Sequence, residues 1–339
     1  MAPTVNKRFN IKTPPTFCLF LIDSDFVFYL IDIMAQDSLT LVVLAGGLGS
    51  RFGGNKQIAE IPTLGRTIME LSIADAVKVG VSQVVIIINQ KIRAELEATI
   101  LPRLPDDLDV VLVEQSIDAL PDKFSHLAAD RIKPWGTGHA LLCAKPYVHN
   151  PAIVITADDY YGDTSFEIVA EHFKHSTQWA MVGYPISQTL SDEGGVNRGL
   201  CEVDEQQQLT NVIEYLNIER ENTTLYGDTP QGKRVVMTDD SLGSMSFWGI
   251  TPDVFNYLES GFFEFLESND NGVTKEYYLP DQIQAAIQGK HQSVIVYKAQ
   301  SPWYGVTYKS ELEKVSKKLY ELYHGRNSSH RPSAIKNEE

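Results

Sequence analysis

The sequence predicts an α/β protein built on a Rossmann-like, doubly wound mixed sheet with an inserted β-rich portion. Three observations carry this. From about residue 40 onward, apolar runs such as "LTLVVLA", "VVIII" and "AIVIT" alternate with amphipathic segments, as expected of strands buried on both faces with helices packed over them. The first run leads directly into a glycine-rich loop, "GGLGSRFGGNK". Between about residues 178 and 250 the texture changes to β-rich stretches with hairpin signals such as "VDEQQQL".

Taken in order, "LTLVVLA" is the first buried strand, and "TIMELSIADAVKVG" a helix whose stop signal is Gly80. "SQVVIIIN" and "LDVVLVEQ" are the second and third strands, "GHALLCAKPYV" reads as a helix, and "AIVITADD" as a strand ending in two acids. This β-α-β succession places a ligand at the carboxyl ends of the strands. "WAMVGYPI", "GLCEVDEQQQLTNVIEY" and "SLGSMSFWGI" form the β-rich part, while the polar "NIERENTTLYGDTPQGKRV" reads as a mobile surface loop. Helices return at "PDVFNYLESGFFEFL", "YYLPDQIQAAIQG" and "SELEKVSKKLYELYHG".

Residues 1–35 read as an extension. The apolar segment near the start is interrupted by Asp23, Asp25 and Asp32, so it matches neither a spanning helix of about 20 residues nor a secretory signal. Met34 stands six residues before the first strand and is the expected start of translation. The domain is expected over residues 36–325, with a disordered tail over 326–339.

The 339 residues carry a formal net charge of −15, which argues against a general nucleic-acid binder but not against a small anion in a local pocket. No membrane association is expected. Three scattered cysteines fit reduced thiols in the cytoplasm. His172 and His175 close a surface helix with nothing nearby to complete a zinc set.

The glycine loop narrows the chemistry by what it fails to be. A dinucleotide fingerprint starting at Gly47 requires glycine where Phe52 stands, and a P-loop starting at Gly49 has Asn55 after Gly54, with Lys56 one place late. Five glycines, an Arg and a Lys after a buried strand exceed what a plain turn needs. The pattern L-A-G-G-x-G-S-R followed by Lys resembles the signature of the sugar-1-phosphate nucleotidyltransferases. The resemblance continues in order through "KPWGTGHALLCA", "VITADDYYG", "VNRGLCEVDEQQQLTNVIE" and "KEYYLPDQI…WYGVTYK", across about residues 38–322. The chain resembles bacterial N-acetylglucosamine-1-phosphate and glucose-1-phosphate uridylyltransferase domains.

That resemblance implies a division of labour. Leu44, Gly46, Gly47, Gly49, Ser50, Gly136 and Thr137 would bind the nucleotide, with Arg51 and Lys56 on the departing pyrophosphate. Asp158 would hold Mg2+, with Thr307 at the position of a second ligand; Gly199, Glu214, Ser244 and Ser246 would meet the sugar. His139 is expected to be structural. The implied partners are a nucleoside triphosphate (UTP first, dTTP next) and a sugar 1-phosphate, joined with loss of pyrophosphate. The oligomeric state is not readable.

Two departures matter. Many relatives follow the sugar-binding Glu with a Lys, where this chain has Tyr215, Leu216 and Asn217, and they carry Asp or Asn at the position of Thr307. Arg198 and Lys309 lie close in sequence to these gaps. Two other readings therefore stay open: a sugar-nucleotide-binding or regulatory protein with impaired catalysis, and a cytidylyltransferase acting on a non-sugar phosphate.

Overall fold

Every residue of the first strand, β1 (Leu39–Ala45), is buried, so it can only lie in the middle of a sheet covered on both faces. The structure is a computed structural model and describes residues 38–47, 55–192, 194–268, 273–306 and 309–329. The expectations for residues 1–35, including a start at Met34, lie outside the described residues, as do Gly49, Ser50, Arg51 and Thr307.

After β1 come a short hairpin, β2 (Glu60–Ile61) and β3 (Arg66–Thr67), and helix α1 (Ile68–Lys78). The helix starts on a capping box in which Thr67 and Glu70 satisfy each other's backbone N–H groups, and Gly80 follows its end at φ +97°. Strand β4 (Val81–Ile88), helix α2 (Gln90–Thr99) and strand β5 (Asp109–Glu114) continue the pattern. Helix α3 (Thr137–Cys143) is shorter than the expected 138–148, because Pro146 cannot extend it. Then come β6 (Ala152–Thr156), β7 (Asp159–Tyr160), helix α4 (Asp163–His175) and β8 (Trp179–Pro185).

The inserted portion contains β9 (Val196–Val203), β10 (Leu209–Glu221), β11 (Thr224–Asp228) and β12 (Arg234–Met237), and the chain re-enters the sheet as β13 (Leu242–Ile250). Helices α5 (Val254–Glu267) and α6 (Leu279–Gln288), strands β14 (Val294–Lys298) and β15 (Tyr304–Gly305), and helix α7 (Lys309–Ser329) complete the order. Helix α7 continues past Arg326, where the polar tail was expected to begin.

Residues 217–235 require a correction. They are not a loop: β10 runs on to Glu221, turns at Asn222 (φ +55°), and pairs with β11, which pairs in turn with β12. One face of this ribbon buries Ile218, Leu225 and Met237 against Ile186. The other face is wet, and Arg234 gathers Glu219, Glu221 and Asp228 across it. A ribbon with a single buried face reads as polar in sequence.

The main sheet has eleven strands and is mixed. β1 is parallel to both β4 and β6, and β13 runs antiparallel to β6. The chain leaves β1 for β4 and β5 on one side and returns as β6 on the other. This reversal opens a crevice at the carboxyl ends of β1 and β6, the place where ligands bind in such sheets. Two large apolar cores, one on each face, hold it rigid.

Candidate active site

The glycine loop begins where β1 ends. The Gly46 and Gly47 carbonyls both accept from the Asn89 side-chain amide (3.4 and 3.2 Å), and Gly47 also accepts from Gln57 (2.7 Å). In a trans peptide the N–H points opposite to the C=O, so fixing the Gly46 carbonyl aims the Gly47 N–H away from these partners. Asn89 also caps α2 through the Lys91 N–H, which fixes the amide in place. Gly46 has no room for a Cβ, which would lie 2.7 Å from Gln115 Oε1. Leu44 packs its side chain into the core, and its carbonyl accepts from the Ala157 N–H at 3.1 Å.

A short turn over Lys56–Ile58 follows, pinned by the buried Gln57 and Ile58. It delivers Lys56 Nζ to 2.5 Å from Asp158 Oδ2, at the end of β6. Both side chains are mostly covered (16% and 24% exposed), so the pair is shielded enough to bind tightly.

Asp159 lies beside this pair. It accepts from the Thr156 hydroxyl at 2.9 Å, and that hydroxyl lies 2.8 Å from the Tyr161 hydroxyl, which donates to the Met245 carbonyl at 2.9 Å. Burial and the neighbouring Asp158 carboxylate hold the Asp159 carboxyl well above the usual range, while Lys56, Thr156 and Arg198 pull it back. Asp159 pairs with Gly305 in the β7–β15 ladder, and a Cβ at Gly305 would lie 2.8 Å from Asp159 Oδ1. Gly305 therefore passes the acidic strand end.

The second loop is locked from two sides. Gly136 has φ +105°, and a Cβ there would lie 2.6 Å from the Tyr277 carbonyl oxygen. Its own carbonyl accepts from Gln115 Nε2 at 2.9 Å. Thr137 uses its hydroxyl to accept from the Leu279 N–H at 3.0 Å, tying α3 to α6, so its side chain has a structural task. His139 is buried against Phe262, with Nδ1 3.3 Å from Gln115 Nε2. Burial pulls its pKa down to about 4. Gln115 thus touches both loops. It was missed in the sequence because a Gln after an apolar run carries no distinguishing signal.

Strand register brings together three of the sugar-side candidates. Glu214 on β10 faces Gly199 on β9, and Gly199 faces Ser244 on β13, so the three form one row across the sheet. A side chain at 199 would press on Val212 Cγ1 at 2.7 Å. Ser246 sits in the irregular stretch of β13 between Ser244 and Trp248 with φ +63°, a left-handed backbone that is uncommon away from glycine. Next to this row, Arg198 faces Tyr215 across the same ladder. Among the described residues no group of three or more His, Cys, Asp or Glu side chains converges as a metal site. No helix there is long and apolar enough to cross a membrane.

The region from β1 through β8 holds the glycine loop, the Gly136 turn and the acidic strand end. Residues 41–185 match the family model of the MobA-like NTP transferase domain. This stretch, somewhat under half of the chain, is similar to a nucleotidyltransferase domain. Similar solved structures include the inositol-1-phosphate CTP transferase from T. maritima, with a TM-score of 0.56 and 16% identity over 84% of this chain and 96% of that one. A UDP-glucose pyrophosphorylase complexed with UDP-glucose gives 0.55 and 16% over 84% and 98%. The UDP-glucose pyrophosphorylase from acinetobacter baumanii gives 0.53 and 17% over 84% and 94%. Identities this low speak to the fold. No curated protein sequence gives a significant match. The nucleotidyltransferase match holds Lys56 and Asp158, whereas Arg198, Gly199, Glu214 and Ser244 lie beyond it.

Proposed function

We propose that the protein transfers a nucleotidyl group from a pyrimidine nucleoside triphosphate, UTP first, to the phosphate of a sugar 1-phosphate. The observation that carries this reading is the contact between Lys56 and Asp158, which joins the glycine loop to the acidic strand end at the sheet reversal. In the reaction an oxygen of the acceptor phosphate attacks the α-phosphorus, the bond from that phosphorus to the bridging oxygen breaks, and pyrophosphate departs with the electron pair. The acceptor oxygen is already anionic at neutral pH, so no general base is assigned. The protein's task is to hold two anions in line and to offset their charge.

Lys56 and Arg51 would serve the leaving pyrophosphate, and the Gly47 N–H a bridging oxygen. Gly136 would approach the base through its backbone. Gly199, Glu214 and Ser244 would meet the acceptor's hydroxyls. Two adjacent carboxylates suit Mg2+, which takes one or two protein carboxylates and completes its shell with phosphate oxygens and water. Asp158, with Asp159 beside it, would hold the ion, which when bound neutralises phosphate charge. Lys56 holds Asp158 in place.

A second reading has a specific observation behind it. The similarity to a CTP transferase for inositol 1-phosphate favours CTP with a polyol phosphate as acceptor. One matrix tests both: four nucleoside triphosphates against glucose 1-phosphate, N-acetylglucosamine 1-phosphate and inositol 1-phosphate, read by pyrophosphate release with Mg2+. Release with UTP and a sugar phosphate is expected. Release with CTP and inositol 1-phosphate alone replaces the first reading by the second, and no release anywhere removes both.

A further inference from the structure

Arg198 is a partly buried cation that the protein solvates but does not neutralise. Its Nη2 donates to the Thr189 carbonyl (2.7 Å), its Nη1 to the Asn197 carbonyl (2.9 Å), and its Nε lies 3.4 Å from the Thr189 hydroxyl. All three acceptors are neutral. A guanidinium has five N–H groups, so one on each terminal nitrogen is left without a protein partner. Asp159, Glu214 and Glu311 influence it through space, yet none of them hydrogen-bonds or ion-pairs with it. The Trp303 ring lies 5.3 Å away, and its indole N–H is buried without a partner.

A guanidinium withdrawn from water, hydrogen-bonded only to neutral acceptors and with carboxylates acting only from a distance, is incompletely compensated unless an anion joins it. Its place says which anion. Arg198 pairs with Tyr215, one residue along from the Glu214–Gly199–Ser244 row and on the other face of the ladder, and its guanidinium lies by the Trp303 ring, which with Asp159 crowds Gly305. It therefore lies near the acidic strand end, within electrostatic reach of both Asp159 and Glu214.

We propose that Arg198 binds the phosphate of the acceptor, presenting its two unpartnered N–H groups to a phosphomonoester. The assignment rests on the nucleotidyltransferase reading above. Arg198 is an acceptor-binding residue: the carbonyls of Thr189 and Asn197 fix the guanidinium plane, and a planar fork held this way suits a phosphate with two accepting oxygens. The class it selects is a phosphorylated acceptor over its unphosphorylated parent.

The competing account is that Arg198 only straps Thr189 to Asn197. Titration calorimetry on the full chain separates the two. Wild type, Arg198→Gln and Arg198→Lys are titrated with glucose 1-phosphate, inositol 1-phosphate and the unphosphorylated parents, and separately with UTP and CTP. Arg198→Gln is expected to weaken the phosphorylated probe that wild type binds by roughly ten- to a hundredfold, the loss of charge-assisted hydrogen bonds. Nucleotide affinity should stay within about twofold, and Arg198→Lys should recover part of the loss. Retained nucleotide binding doubles as the check that each variant is folded. Phosphorylated-probe affinity that ignores residue 198, or that falls together with nucleotide affinity, overturns the assignment. So does wild type that binds nucleotide but no phosphorylated probe. Wild type that binds neither nucleotide instead removes the parent reading, so the two failures are told apart.

Discussion

Lys56 and Asp158 meet at 2.5 Å although they leave the sheet from different strands, one after β1 and one after β6. The contact spans the crevice between those strands. It also places the one described cation of the glycine loop on the carboxylate assigned to the metal.

Removing that carboxylate should end turnover without unfolding the protein. Asp158→Ala is expected to lower pyrophosphate release by roughly a hundredfold or more, the scale of losing one charge-stabilising group. Its far-UV circular dichroism should match wild type. Mg2+ should raise the melting temperature of wild type in the presence of nucleotide and leave Asp158→Ala unmoved. A Mg2+ response retained by the variant would move the metal elsewhere.

The Gly136 turn has no slack. Gly136→Ala would place a Cβ 2.6 Å from the Tyr277 carbonyl oxygen and 2.7 Å from its nitrogen, backbone atoms that cannot step aside. Together with the φ of +105°, this should cost roughly 3 kcal/mol or more. Gly80→Ala is the control: φ is +97°, but the space is open, so about 1 kcal/mol is expected. Urea unfolding of the two variants should differ accordingly, and equal midpoints would contradict the close approach.

His139 should make the fold sensitive to acid. Burial depresses its pKa from 6.5 to about 4, so the folded state favours the neutral ring. Its contribution is fully present above pH 6.5 and is lost as pH falls towards 4, by about 3 kcal/mol. His139→Leu should flatten the slope of stability against pH in that window while changing it little above pH 7. An unchanged slope would assign the acid sensitivity to other groups.

Cys143 and Cys201 should resist alkylation in the folded protein. Burial pushes their thiols up to about 11 and about 12, leaving almost no thiolate at pH 8. Peptide mass spectrometry after iodoacetamide should find both unmodified in buffer and both modified in urea. Rapid labelling of either under native conditions would show that its surroundings open.

Much of the fold was legible because long apolar runs admit few placements. "LTLVVLA", "VVIII" and "AIVIT" became the buried parallel strands, and the change of texture after residue 178 marked the inserted β portion. The ribbon over residues 217–235 was not legible, since its buried face is supplied by Ile218, Leu225 and Met237, too widely spaced to form a pattern. The site divided in the same way. Its glycines, Lys56 and the acidic strand end were readable as a local string. Gln115 and the Thr156–Tyr161–Met245 chain were not, because their meaning comes from partners distant in sequence.

By itself, the sequence determined that a buried strand delivers a glycine loop with cations, and that another delivers paired acids. These are consequences of local chemistry: apolar runs must be covered, and glycines permit backbone approach. Only the tertiary structure decided what those strings face. Parallel pairing of β1 with β6 set Lys56 on Asp158, and the ladder between β9 and β10 set Arg198 one residue along from the Glu214 row. Strand register is a property of the packed sheet, stabilised by contacts between residues far apart along the chain. No single stretch contains it.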